Sequence, residues 1–109
     1  MSGSGGGYTG GGGGWGNAPQ ALNCGNVSFS VVLSSPQAIA IAALKKGTVL
    51  QVTIYEGVVV CVNGGQVVGS INWAMIGELI RCMEEGSQYI ATVVSIDDGR
   101  VKVNVTSEV

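Results

Sequence analysis

The stretch GTVLQVTIYEGVVVCVNGGQVVGSI, residues 47–71, decides the fold. Within it Leu50, Val52 and Ile54 alternate with Gln51, Thr53 and Tyr55, the two-residue period of a strand that buries one face. Glu56-Gly57 breaks the run, and glycine there supplies backbone angles that other residues resist. Residues 58–62, with Cys61 among them, are apolar without alternation, which predicts a strand covered on both faces. Asn63-Gly64 predicts a type I′ turn, whose two central residues both need positive φ, and Gly65 adds a bulge. Residues 66–71 then return antiparallel. A three-strand meander with one doubly covered strand does not stand alone, so the flanking segments must cover it.

Upstream, residues 27–33 read as a strand with Val27, Phe29, Val31 and Leu33 inward and Ser28 and Ser30 outward. Ser35 is the expected N-cap of a first helix, Pro36 suits its first position, and Gly47 stands where a left-handed residue ends it. Lys45 and Lys46 complement the dipole of its last turn. The body of this helix, AIAIAAL at 38–44, is apolar on every side, so it is expected to be enclosed or docked against a partner. Ile41 and Ala42 are its candidate partner-surface residues.

Downstream, Asn72 is the expected cap of a second helix over 73–85, ended by Gly86. Its apolar stripe holds Trp73, Met75, Ile76, Leu79, Ile80, Cys82 and Met83. The opposite face carries Glu78, Arg81, Glu84 and Glu85, spaced so that Arg81 meets Glu78 and Glu85. Ala74 and Gly77 flank that face and complete the candidate partner surface. Glycine inside a helix costs about 1 kcal/mol relative to alanine, so Gly77 is a candidate point of close backbone approach. Residues 89–96 form a fifth strand, Asp97-Asp98-Gly99 a turn, and residues 100–105 a sixth strand with Val101, Val103 and Val105 inward.

The resulting order, β-α-β-β-β-α-β-β, makes an α+β, mainly β domain. Six short strands with two short helices suit a small, partly closed antiparallel barrel, whose closure hides the strand edges. The alternative is an open antiparallel sheet with the helices on one face. The expected core is Phe29, Val31, Leu50, Val52, Ile54, Val60, Ile71, Ile76, Leu79, Val94, Val101 and Val103. Residues 1–21, dominated by glycine, are expected to be a disordered tail, and residues 22–109 a single small domain.

Charged residues make up 11% of the 109-residue chain and apolar ones 46%, so a partner is expected to cover some apolar surface. A net charge of −2 argues against broad capture of nucleic acid. Cys24, Cys61 and Cys82 show no C-x-x-C spacing, and the absence of histidine removes the mixed Cys/His zinc sites. The three cysteines are expected to be reduced thiols of a cytoplasmic protein, with Cys61 and Cys82 as small core hydrophobes. No signal peptide and no membrane span are read from the chain.

From residue 58 to 96, VVVCVNGGQVVGSINWAMIGELIRCMEEGSQYIATVVSI, the pattern resembles the second half of HIRAN domains. The resemblance implies a small barrel with two helices, of the kind found on helicases and nucleases, that binds single-stranded DNA ends. In a single-strand-binding module of that kind, the contact face expected here is Arg100 and Lys102 with Tyr55 or Tyr89, where aromatic stacking beside basic groups holds single strands. The glycine-rich head, Phe29, Leu33, Ser35 and Pro36, then Gly47, Leu50 and Val52, also look like short uncharacterised bacterial proteins.

Without histidine there is no Ser-His or Cys-His nucleophile pair. Asp97 and Asp98 sit in a turn, where carboxylates shape the backbone, and Glu84 and Glu85 lie on a solvated helix face. No glycine-rich loop joins a strand to a helix as a phosphate cradle does. The expectation is a non-enzymatic binding or assembly module of a bacterial cytosolic protein, with no cofactor and with a protein partner or self-association. The alternative is a HIRAN-like module for single-stranded nucleic acid.

Overall fold

The computed structural model describes residues 22–108. The tail expected at 1–21 lies outside the described residues, as does Val109. Strand β1 is Ser28–Val32, β2 Val49–Tyr55, β3 Val58–Asn63, β4 Gln66–Ser70, β5 Tyr89–Asp97 and β6 Arg100–Ser107. Helix α1 is Ala38–Ala42, between β1 and β2, and α2 is Ile76–Glu84, between β4 and β5. The strands form one antiparallel sheet in the order β1-β6-β5-β2-β3-β4.

Local sequence makes the hairpins. Glu56 and Gly57 take φ of 51° and 80°, and Tyr55 pairs with Val58 across them. Asp98 and Gly99 do the same at 52° and 82° between Asp97 and Arg100. In the remaining hairpin the apex is Gly64-Gly65, closed by Asn63 and Gln66, one residue later than Asn63-Gly64 predicts. Two glycines accept paired positive φ with less strain than asparagine and glycine, which shifts the turn. The irregularity falls between Cys61 and Val62.

Inward side chains align across the register. Phe29, Val105, Ala91 and Leu50 make one row, and Val31, Val103 and Val93 the next. Leu50, Ala91, Val101, Val103 and Val105 are fully enclosed. In β3, Val59, Val60 and Cys61 are buried in succession, as the unbroken apolar run implies. In β5 the core takes Tyr89, Ala91 and Val93, and Val94, expected inside, is half-buried. The run of apolar residues there admits either phase, and a register shift between Val93 and Ser95 separates the two.

Among the described residues no ladder joins β1 to β4, so the sheet is not closed. Its two edges approach at a single bridge just beyond β1. There Ser34 and Ser70 exchange both backbone hydrogen bonds at 2.8 Å. The Gln37 N–H also donates to the Val68 carbonyl of β4 at 2.8 Å. Gly69 permits this approach, because a Cβ there would lie 3.0 Å from the Ser34 carbonyl oxygen and 3.1 Å from Leu33 Cβ.

The same seam shortens α1. Ser35 takes φ of 50° and Gln37 stays extended, so the helix starts at Ala38 and the Ser35 N-cap predicted from sequence is not formed. One side of α1 and its exit buries Ala40 and Leu44, whereas Ile39 is 80% exposed, so the helix is not enclosed all round. Helix α2 also starts late. The Trp73 ring stacks on Phe29 with centroids 3.7 Å apart and planes at 7°, and its carbonyl accepts from the Ile76 N–H. The residue before the helix is Met75, with no side-chain cap. Leu79 and Cys82 of α2 are fully buried.

Cys24 and Cys82 are joined in a disulfide, with Cα atoms 5.5 Å apart, which corrects the expectation of free thiols at these two positions. Buried Cys61 is the free cysteine among the described residues, a small core hydrophobe as expected. The Tyr89 hydroxyl donates to the Cys24 carbonyl at 2.8 Å, and the Leu22 N–H reaches Glu78 Oε1 at 3.4 Å. The segment leading into β1 is thereby fastened to α2 and to the start of β5.

A groove at the edge of β2 and a charge-poor sheet face

Strands β2 and β5 pair only over Val49–Thr92, Leu50–Ala91 and Gln51–Ile90. Beyond Gln51 they splay, because β5 begins at Tyr89 and the chain before it turns away into α2. The wedge between them is a groove of about 470 Å³ lined by Gln51, Val52, Thr53 and Ile54 on one side and by Met83, Ser87 and Gln88 on the other. Successive residues of a strand point to opposite faces. Four consecutive residues line a single space when that space lies along the strand's edge, and this edge carries backbone donors and acceptors.

Hydrogen-bond alternation shows which groups these are. Tyr55 and Val58 close a two-residue turn, so Tyr55, Thr53 and Gln51 direct their N–H and C=O groups to β3. Val52 and Ile54 direct theirs the other way. The residue opposite Ile54 in the β5 register is Ser87, whose N–H is held by the Cys82 carbonyl at 2.9 Å. Among the described residues no strand pairs with Ile54 on this side.

A second space of about 270 Å³ adjoins the first, shares Ser87, Gln88 and Glu108 with it, and reaches Cys24 and Gly25 beside the disulfide. Glu108 is fixed by its N–H, which donates to the Gln88 carbonyl at 2.9 Å. Among the described residues no lysine or arginine lines either part.

The outer face of the sheet is a different surface. Across the register, Ser30, Asn104, Thr92 and Val49 form one outward row. Ser30 and Asn104 lie within hydrogen-bond distance at 3.3 Å. Lys102 is the charged residue on this face away from the turns, and it pairs with Val32, itself 42% exposed. On α2, Arg81 bonds Glu78 at 3.2 Å and Glu85 at 3.1 Å, and the hydrogen bonds to Glu78 and then Glu85 raise its pKa.

The residues singled out from sequence do not converge. Tyr89 is buried, 2% exposed, with its hydroxyl turned to Cys24, so it does not lie on a face with Arg100 and Lys102. Tyr55 is 60% exposed, but it sits at the end of β2 that lies towards the start of β5. Arg100 is at the far end of β5, across the Asp97–Arg100 turn. Ile41 is half-buried against the core and Ala42 is exposed. Ala74, ahead of α2, and Gly77, in its first turn, are exposed, and a Cβ on Gly77 would meet nothing within 4 Å, so among the described residues no backbone approaches it closely. Helix α1 packs on β4 and α2 on β2, which leaves the two halves of the expected partner surface on different strands.

The groove residues Ile54, Ser87, Gln88 and Glu108 carry no sequence motif, because the groove depends on where β2 and β5 stop pairing. Cys61 offers no nucleophile: burial pushes its thiol from 9.0 up to about 12. Among the described residues no three His, Cys, Asp or Glu side chains converge to hold a metal ion. No protein family, curated protein or solved structure matches the chain.

Proposed function

We propose that this domain is a non-enzymatic binding or assembly module that makes contact through the outer face of its sheet. The supporting observation is the distribution of charge. The five basic and seven acidic residues lie in turns, on α2 or near strand ends, apart from Lys102. Serine, threonine, asparagine and an exposed Val49 cover the middle of the sheet. Interface cores are depleted of charge in the same way. A chain without histidine, whose free buried thiol stays protonated, favours binding over nucleophilic chemistry.

We read the fold behind this face as a small, partly closed barrel, with the isolated Ser34–Ser70 bridge as its seam. The disulfide weighs against the cytoplasmic location expected from sequence, since reducing thiol pools keep most cytosolic cysteines apart. Among the described residues no helix is long and apolar enough to cross a membrane.

The test is sedimentation equilibrium of the full chain beside Val49→Lys. Val49 is 55% exposed, so the charge is tolerated by the fold. The expected result is concentration-dependent self-association that the substitution weakens at least tenfold. A chain that stays monomeric to about 1 mM, or associates equally well with the lysine, removes this face as the contact surface.

A further inference from the structure

We propose that the groove beside β2 accepts one extended peptide strand, which pairs with the free backbone edge at Ile54 and presents a basic side chain to Glu108. The inference rests on the binding-module reading and deepens it by naming a second surface and the chemistry of its occupant.

Three observations select that occupant. The groove runs along a strand edge whose Ile54 N–H and C=O have no strand partner among the described residues. Main-chain pairing with an exposed edge is how extended peptides add a strand to a sheet. The groove also has two unlike sides. Towards the core it meets Ile54 and Met83, and towards solvent Gln51, Thr53 and Gln88. A strand entering between them would alternate apolar and polar side chains, as extended chains do. Residues 52–55 offer about four positions, or ~13 Å of strand. Finally, Glu108 is the acidic residue of the lining, and no lysine or arginine among the described residues lines the groove beside it, so a lysine or arginine at one end of the peptide meets a complementary group. An oligonucleotide would bring its phosphates to this carboxylate without any compensating base.

The experiment follows the backbone amides of the full, nitrogen-15-labelled chain by NMR. The probe is the capped hexapeptide Lys-Val-Thr-Val-Thr-Lys, and its control is the same peptide with alternate backbone amides N-methylated. Without peptide, the Ile54 amide is expected to exchange rapidly. With peptide it should shift, saturate and exchange at least tenfold more slowly, and the methylated control should bind at least tenfold more weakly. Gln88 is exposed, so Gln88→Trp fills the groove without disturbing the core and should abolish the response. Glu108→Gln should weaken binding and flatten its salt dependence.

The proposal is overturned by an Ile54 amide that is already protected in the free chain, or that ignores the peptide up to about 1 mM. Equal binding of the methylated control overturns it too, as does a response to oligothymidylate in place of peptide. Failure here leaves the outer-face reading standing, because Val49 points to that face and reports on association separately.

Discussion

Replacing Gly69 with alanine tests whether the sheet's two edges depend on one another. The added Cβ would lie 3.0 Å from the Ser34 carbonyl oxygen, 3.1 Å from Leu33 Cβ and 3.4 Å from Leu33 Cδ1. Carbon atoms pack best at about 3.5–4.0 Å, so the segment around Ser34 must retreat by a few tenths of an ångström. Leu33 is 4% exposed and belongs to the core, and Ser34 is held by two backbone bonds of 2.8 Å. Neither is the free end of a flexible side chain. Overpacking of this kind costs about 1–3 kcal/mol. Alanine also restricts the unfolded chain, which returns roughly 0.4–1 kcal/mol. The net expectation is a loss of about 1–2 kcal/mol. Urea denaturation reads the loss, and hydrogen exchange locates it: the amides of Ser34, Gln37 and Ser70 should open sooner while those of β5 and β6 keep their protection. A Gly69→Ala protein at least as stable as its parent, with those three amides unchanged, refutes the argument that this glycine admits the seam.

Gly77→Ala runs in the opposite direction: with nothing within 4 Å of the new methyl, thermal denaturation should show a gain of about 1 kcal/mol. Cys24→Ser with Cys82→Ser opens a 58-residue link, and the chain-entropy relation puts the loss at up to about 4 kcal/mol, to be measured by urea titration against the oxidised protein. Ile41→Glu should destabilise the domain strongly, whereas Ala42→Glu should leave its melting temperature nearly unchanged, since Ile41 packs on the core and Ala42 faces solvent. The Cys61 thiol titrates near 9.0 when unfolded and about 12 when folded, so the folded state holds its proton longer. Its contribution is complete below pH 9.0 and declines as pH climbs towards 12, which a Cys61→Ala protein should not show in alkaline denaturation.

The central meander was legible because β2 alternates cleanly and glycines mark its turns, and β6 was legible for the same reason. Where local pattern was ambiguous, tertiary contacts decided. Residues 89–96 suit either face of a strand, and burial of the Tyr89 ring selected the phase that sends Val93 inward. The pairing of Ser34 with Ser70 and of Gln37 with Val68 kept residues 34–37 out of the helix, where Ser35 and Pro36 alone read as a helix start. Stacking on Phe29 drew Trp73 out of the helix that its apolar spacing suggested. The disulfide joins cysteines 58 positions apart, a separation that no local spacing signals. The groove was illegible for a related reason, since it exists where one long-range pairing ends.

The neighbour of β1 is β6, so Ser28 must find Thr106, roughly eighty residues later in the chain. Strands β2, β3 and β4 can assemble by successive short hairpins, whereas β1 leaves synthesis early and waits, extended and without its sheet partner, until nearly the whole domain has emerged. Non-local pairing of this sort slows folding, because the entropy of closing the loop is spent before any contact rewards it. The link from Cys24 to Cys82 offers a shorter route. Once it forms, the path from Ser28 to Thr106 through the cross-link falls to roughly thirty residues, which lowers the closure cost by about 0.9 kcal/mol. Oxidation before collapse should then raise the folding rate several-fold, and the cross-link becomes a guide for the last strand to dock as well as a brace for the finished sheet.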